Sequence, residues 1–220
     1  MSTPRARTLF FVGLSGYQYP HTRVRCYHFA RALAERHAVP TEVLSFRDDL
    51  APEKSERAMY ELTDREKMRL VLAGLRRLWP RRDAVFYVQK ALFHAAAPFT
   101  LSRLGRNSYI YDCDDYDIPL SQFFARGRWN RLFFGSHKWD EITYRLARRA
   151  LCCVAASHRL VEFFAPPSPC LSGAYRVDVD AFRPPRPRGD GGPVFLERPH
   201  LGRHDRRERA VHPAMLCARP

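Results

Sequence analysis

The sequence predicts an α/β protein built on a doubly wound parallel sheet. Between residues 8 and 172, short apolar segments with β-propensity alternate with longer segments that carry an apolar stripe at helical spacing. Such alternation is typical of βαβ units, whose right-handed crossovers place successive strands parallel. With 220 residues, 45% of them hydrophobic, the chain can bury a sizeable core.

The first half of the chain supplies three predicted strands. Residues 8–12 form the first, and Gly13 and Gly16 follow it before a helix over 23–36. Glycines at this point let a ligand approach the backbone, and a helix N-terminus favours an anion, although a plain tight turn explains such loops about as often. The next elements are a strand at 41–46, one or two amphipathic helices within 53–78, a strand at 84–88 and a helix at 91–104.

The second half begins with an aspartate-rich strand end. A strand at 109–111 leads into Asp112, Asp114, Asp115 and Asp117. Ligands of open α/β sheets bind outside the carboxyl ends of the strands, so these carboxylates are predicted to reach the ligand crevice. A solvated, turn-forming loop is the alternative. The pattern ends with a helix over 128–149, a strand at 151–155, a helix to 164 capped by Ser157 and a strand at 170–172.

The chain carries a formal charge of +14, which raises the question of an anionic partner. Residues 183–220 hold nine arginines against four acidic residues, and the remaining charge is spread over several predicted helices. No RNA-binding or helix-turn-helix motif accompanies this charge, so we expect no nucleic-acid partner. Aromatic and basic residues are interleaved over 123–139, which suits either a membrane interface or a helix with its aromatic side chains in the core.

Residues 183–220 differ in composition from the rest of the chain. They are rich in Arg, Pro and His and lack hydrophobic periodicity, so we expect a disordered tail after a domain at 1–182. The chain has 33 arginines against four lysines, which indicates a GC-rich gene. A shifted reading frame or truncation near residues 190–198 is one explanation of this tail, and a genuine basic arm is the other. The six cysteines lack metal-site spacing and are expected to be reduced thiols.

Five short segments carry a resemblance to a known family. They are GLSGYQYPHTRVRCYHFARALA from residue 13, YVQK at 87–90, YDCDD at 111–115, VAAS at 154–157, and VD at 177–178 with Phe182 and Pro184. In this order they resemble the N-terminal, Rossmann-like domain of GT-B glycosyltransferases, in particular glycosyltransferase family 4, over roughly residues 8–184. Arg176 stands where the family's exit motif begins with glycine.

The resemblance implies an enzyme that transfers a sugar from a nucleotide-sugar donor to a saccharide or lipid-linked acceptor, without a cofactor or a bound metal. In such enzymes this domain mainly holds the acceptor, and a second domain binds the donor. Residues 183–220 do not look like a donor domain, so little or no activity is expected of the chain alone. The implied catalytic residues are Asp114 and Asp115, and the implied substrate-binding residues are Gly13, Gly16, Tyr17, His21, Arg23, Arg25 and Lys90.

Two other classes of function stay open. Asp112 and Asp114 match the D-x-D spelling that can hold a divalent ion in a metal-dependent enzyme. The third class is a non-catalytic basic protein that binds a membrane surface or nucleic acid. The sequence has neither an apolar run of membrane-span length nor a signal peptide. We therefore expect a cytoplasmic location, with peripheral contact to the inner face of the membrane through 123–139 as an additional option.

Overall fold

A computed structural model describes residues 8–114, 128–164 and 170–172. Six parallel strands within these ranges form one sheet in the order β2-β1-β3-β4-β5-β6. The predicted α/β fold with a parallel sheet is confirmed. The predicted domain boundary at residue 182 and the predicted tail lie outside the described residues. The strands are β1 Thr8–Gly13, β2 Thr41–Ser45, β3 Ala84–Gln89, β4 Tyr109–Cys113, β5 Cys153–Ala155 and β6 Cys170–Ser172.

Helices connect successive strands. The first, α1, covers residues 20–37 in three consecutive segments, namely Pro20–Thr22, the π-helical Arg23–His28 and Phe29–His37. Short helical turns at Phe46–Leu50 and Phe93–Ala95 follow β2 and β3. The other helices are α2 Glu56–Tyr60, α3 Asp64–Leu78, α4 Ala96–Arg103, α5 Arg128–Phe134, α6 Trp139–Arg149 and α7 His158–Phe164.

The predicted helix over 128–149 is wrong as a single element. It is divided into α5 and α6 because Gly135 adopts a φ of 74°, the left-handed conformation that commonly ends a helix. The region within 53–78 also forms two helices, and Thr63 begins the second with a capping box to Glu66. Ser157 caps α7 as predicted, because its hydroxyl accepts a hydrogen bond from the Leu160 N–H at 3.3 Å.

The two faces of the sheet are packed differently. One face supports the larger core, in which Phe10, Phe86 and Tyr111 pack with apolar side chains of α3, α4, α6 and α7. The opposite face supports a smaller cluster that includes Phe11 and Tyr87 and is covered by α1. Alternate residues of each strand point to opposite faces, so the residues that face α1 can be identified along every strand.

Two further expectations concern cysteines and membrane spans. Cys26, Cys113, Cys152 and Cys153 are reduced thiols, as predicted. Across the parts of the chain that the structure describes, no helix combines the length and the apolar character needed to cross a bilayer.

Candidate functional site

The candidate site lies where the winding of the sheet reverses. β1 is flanked by β2 on one side and by β3 on the other. The chain therefore adds β2 on one side of β1 and then places β3 and the later strands on the opposite side. This reversal opens a crevice between the loops that follow β1 and β3, at the carboxyl ends of the strands. Ser15, Lys90 and Asp114 all lie just beyond strand ends at this edge.

A buried ion pair joins α1 to β4 beneath this crevice. The Arg25 Nη1 lies 3.2 Å from the Asp112 Oδ1, and the two side chains are 1% and 0% exposed. Arg25 belongs to the π-helical segment of α1, and Asp112 is the fourth residue of β4. Removing two charges from water is costly, so this pair is stable only because each charge compensates the other. Arg25 was predicted to contact a ligand; in the folded chain its guanidinium contacts Asp112.

A second pair lies at the mouth of the crevice. The Lys90 Nζ is 3.3 Å from the Asp114 Oδ1, with the lysine side chain 20% exposed and the aspartate side chain 1% exposed. Lys90 adopts a φ of 60°, and its N–H donates to the Asp112 carbonyl oxygen at 2.8 Å. Neither carboxylate oxygen of Asp114 accepts a hydrogen bond from the described residues, so both retain acceptor capacity.

Burial changes the proton affinity of the groups around these pairs. Desolvation raises the pKa of Asp112 to about 7, and the charge of Asp114 adds to this rise while Arg25 opposes it. Burial also raises the pKa of the Cys26 thiol well above its usual value, and the charges of Asp112 and Asp114 reinforce the effect. Cys26 is therefore a neutral thiol at neutral pH, whereas Asp112 can exchange a proton there.

Gln89 links β3 to α1 beside the buried pair. Its Oε1 accepts from the Thr22 hydroxyl at 3.3 Å and from the Cys26 thiol at 3.6 Å. Gly13 permits this approach, because a Cβ at that position would lie 3.0 Å from Thr22 Cγ2 and 3.2 Å from Cys26 Sγ. Gly13 was predicted to approach a ligand; in the structure it lets the helix lie close to the strand.

His94 is a buried neutral imidazole behind the loop that follows β3. Its Nε2 lies 2.7 Å from the Gln89 carbonyl oxygen, which fixes Nε2 as the protonated nitrogen because a carbonyl can only accept. Burial lowers the pKa of His94 to about 3. The other nitrogen, Nδ1, has no hydrogen-bond partner among the described residues and retains an acceptor lone pair.

The loop after β1 is occupied by carboxylates of the chain itself. The Gly16 N–H donates to Glu56 Oε1 at 2.8 Å, and the Tyr17 N–H donates to Asp48 Oδ2 at 2.7 Å. A side chain at Gly16 would overlap the Asp48 carboxylate. The N–H groups of Gly16 and Tyr17 therefore bind carboxylates of the chain itself in this structure.

Aromatic rings lie on the other side of the same loop. The rings of Tyr19 and His21 are 4.5 Å apart, and Tyr19 lies 6.4 Å from Tyr60. The Tyr60 hydroxyl is 3.1 Å from the Ser15 hydroxyl, so a polar pair borders the aromatic group. Of the predicted site residues, His21 belongs to this group, and Arg23 begins the π-helical segment of α1.

No protein-family model matches this chain, and no curated protein matches it. The structure brings Arg25, Lys90 and Asp114 together, and it places Gly13 against α1 near them. Gly16 and Tyr17 instead contact Asp48 and Glu56, and Asp115 lies outside the described residues. Whether any of these residues binds a substrate stays a prediction.

The predicted catalytic and substrate-binding residues did not include Asp112, Gln89 and His94, although Asp112 was among the carboxylates predicted to reach the crevice. Period-two alternation along β4 was the available signal for Asp112, because residues 112 and 114 share a face of the strand. Gln89 pairs with Asp112 in the strand register, which depends on strand neighbours that the sequence did not specify. His94 follows a strand end but carries no motif, so nothing in the sequence distinguished it.

The two aspartates of the D-x-D pattern lie beside cations of the chain itself. Asp112 and Asp114 each face a cation of the chain, Arg25 and Lys90 respectively. Within residues 8–114, 128–164 and 170–172, no three His, Cys, Asp or Glu side chains are grouped so that they could hold a metal ion.

Proposed function

We propose that the chain is the acceptor-side domain of a GT-B-type glycosyltransferase and that the crevice at the carboxyl edge holds a hydroxyl-bearing acceptor. The observation that carries this proposal is the pairing of Asp114 with Lys90 next to the reversal of the sheet, over the buried Arg25–Asp112 pair. Charged groups are expensive to bury and are concentrated at functional sites more often than elsewhere. The resemblance of residues 8–184 to family 4 supplies the reaction class.

The proposed chemistry follows from the acceptor capacity of Asp114. Transfer of a sugar to a hydroxyl releases the proton of that hydroxyl, and a carboxylate beside it can orient the hydroxyl and accept the proton as the new bond forms. Asp114 has two oxygens free of hydrogen bonds from described residues, and Lys90 limits the directions in which the carboxylate can turn. Asp115, adjacent in sequence, is the second proposed catalytic residue.

The remaining roles belong to binding. Tyr17 and His21 supply rings that can pack against a sugar face, and Arg23 offers a cation to an anionic group. Gly13 and Gly16 are proposed to line the path of the donor phosphates, which requires that a donor displace the Glu56 carboxylate from the Gly16 N–H. The nucleotide sugar is a co-substrate, and contact with a membrane through 123–139 is proposed for lipid-linked acceptors.

Titration calorimetry with a panel of saccharides and a panel of nucleotide sugars tests the proposal. We expect saccharide binding that Asp114→Asn weakens about tenfold, because an amide replaces a charged acceptor. Asp140→Asn is the matched control, since Asp140 is an exposed aspartate in the first turn of α6. Absence of saccharide binding, or equal weakening in both variants, would contradict an acceptor site at Asp114. Tight donor binding that requires magnesium would favour the D-x-D alternative instead.

A further inference from the structure

A second concave site lies at the opposite edge of the sheet, where the strands begin. It is a cavity of about 570 Å³. Its wall is formed by the loop before β3, the loop before β4 and the last turn of α6. The volume lies within the range of about 300–1,000 Å³ that is usual for small-molecule sites. The charged residues of the wall are Arg82, Arg106, Arg148, Arg149 and Asp83.

The four arginines of this cavity differ from several other arginines of the described chain in having no acidic partner. Arg25, Arg47 and Arg81 each form an ion pair with a carboxylate. Among the described residues, no ion pair involves any of the four cavity arginines, and Asp83 forms none either. The cavity therefore carries a positive excess of three charges at neutral pH, with arginines that have not been neutralised internally.

The negative partial charges of helix C-termini offset only part of this positive charge. Helices α3, α4 and α6 all end at this edge, and each helix C-terminus carries a partial negative charge of about half an elementary charge. Arginines near helix C-termini are common for that reason. Three such ends offset about half of the excess, so a field that attracts anions remains.

The wall is held in place by hydrogen bonds to the backbone. The Asn107 Nδ2 donates to the carbonyl oxygens of Arg81 at 2.7 Å and Ala84 at 2.9 Å, which fixes the loop before β3. The Arg106 guanidinium stacks on the Trp79 ring at 3.7 Å. In the buried part of this wall, the Arg106 Nε and the Asn107 Oδ1 have no hydrogen-bond partner among the described residues. A preformed wall that is fixed by hydrogen bonds to the backbone is characteristic of a ligand site.

We infer that this cavity binds a phosphate-bearing ligand, with Arg82 and Arg148 as its principal cationic contacts. Both side chains are exposed and contact no carboxylate of the described chain, so they can turn toward a ligand. Guanidinium groups bind phosphate oxygens through two parallel hydrogen bonds, which favours phosphate over smaller anions. The phosphate can belong to a free metabolite or to a lipid headgroup, and the two sources share this chemistry.

Calorimetric titration of the full chain with inorganic pyrophosphate at low ionic strength tests the inference. We expect binding that Arg82→Gln and Arg148→Gln each weaken at least about fivefold, since each removes a charge-assisted contact. Arg103→Gln is the matched control, because Arg103 is an exposed arginine in the last turn of α4 that does not line the cavity. Its affinity is expected to change less than about twofold. Absence of binding, or equal weakening by all three substitutions, would overturn the inference.

Vesicle flotation separates the two sources of phosphate. The probe is phosphatidylcholine vesicles with about one fifth phosphatidic acid. Binding that pyrophosphate displaces and that Arg148→Gln weakens would support the cavity and assign it to a lipid headgroup. Pyrophosphate binding without vesicle binding would support the cavity and assign it to a free phosphate compound. Vesicle binding unchanged in Arg82→Gln and Arg148→Gln, with no pyrophosphate binding, would place the contact elsewhere and overturn the inference.

Discussion

At the carboxyl edge of the sheet, Arg25 and Lys90 each face a buried aspartate, whereas at the amino edge Arg82 and Arg148 face an open cavity without a carboxylate partner. The charges of Arg25 and Lys90 are compensated by carboxylates within the fold. The charges of Arg82 and Arg148 are exposed to solvent and available to an external anion. Positive charge at the carboxyl edge is therefore part of the folded structure, whereas positive charge at the amino edge can bind an external anion. Both edges are built from strand ends and loops.

The difference follows from the cost of removing a charge from water. A buried guanidinium without a partner costs several kcal/mol, so Arg25 depends on Asp112 for its place in the structure. An exposed guanidinium keeps its hydration and needs no partner. Substitutions at the carboxyl edge should therefore change stability, and substitutions at the amino edge should change ligand binding with little effect on stability.

The largest effect is expected from Asp112→Leu. This change removes the oxygen atoms that face the buried Arg25 guanidinium in either protonation state of the aspartate, and arginine cannot lose its proton, so unfolding free energy should fall by about 3 kcal/mol. Arg25→Met should cost less, because Asp112 can become neutral by binding a proton. Urea unfolding at about pH 5 measures both. Arg31→Met, which removes a solvent-exposed i,i+4 pair with Glu35, is the control and should cost almost nothing. A larger cost for Arg25→Met than for Asp112→Leu would contradict this account.

The pH dependence of stability is expected to reveal the same pair. The pKa of Asp112 rises from 3.8 to about 7 on folding. Between these values the folded chain holds a proton that the unfolded chain has lost, so this contribution is complete in acid and disappears as pH rises through about 7. The slope reaches about 1.4 kcal/mol per pH unit. Free energies of unfolding, obtained from denaturant titrations at several pH values, should show this slope in the wild type and lack it in Asp112→Asn. Equal slopes in the two proteins would exclude the proposed titration.

Two glycines, one at each edge, should respond to alanine for different reasons. Gly16→Ala forces the new methyl group into the Asp48 carboxylate and should cost about 1–3 kcal/mol through displaced packing. Gly105 has a φ of 68° and nothing within 4 Å of an added Cβ, so Gly105→Ala should cost about 1 kcal/mol from the backbone alone. Gly105→Asn should recover part of that loss, because asparagine tolerates this conformation. Thermal unfolding measures the series, and equal behaviour of asparagine and alanine at 105 would argue against the backbone explanation.

The smallest effect on stability is expected from Arg148→Gln. The side chain is exposed and forms no ion pair within the described chain, so its melting temperature should shift less than that of Gly105→Ala. Circular dichroism on heating checks this expectation. A shift as large as that of Gly105→Ala would show that Arg148 mainly stabilises the end of α6.

The strands and most helices could be predicted because the signals are local. Apolar runs and the Ser157 cap are each contained in a few residues. Lys90 was predicted to bind substrate, and the structure pairs it with Asp114. The break at Gly135 was missed because the flanking residues continue a helical pattern on both sides.

The Arg25–Asp112 pair could not be predicted for a physical reason. Helical spacing of 3.6 residues predicts an apolar stripe of Val24, Phe29, Ala32 and Leu33 along α1. The π-helical segment Arg23–His28 has a wider turn, and the buried positions of the helix are instead Thr22, Arg25, Cys26 and Ala30. The local change of helical period therefore places the charged side chain of Arg25 in the protein interior.

The cavity at the amino edge could not be predicted from the sequence either. Its arginines come from three loops or helix ends that are far apart along the chain, and each one alone is an ordinary surface charge. Only the strand order β2-β1-β3-β4-β5-β6 brings the loops before β3 and β4 beside the end of α6. Sites assembled from distant segments need the topology, which local patterns do not give.

The parallel arrangement of the sheet also bears on how fast the protein folds and unfolds. Every neighbouring strand pair is joined through a crossover, so no strand pairing among the described residues can form from a short hairpin. Folding is therefore expected to be slow for a chain of this size. Arg25 and Asp112 can meet only after β1, β3 and β4 have assembled, so their contact should be largely absent from the transition state. Loss of the pair should then appear mainly as faster unfolding, which makes this contact a determinant of the lifetime of the native state.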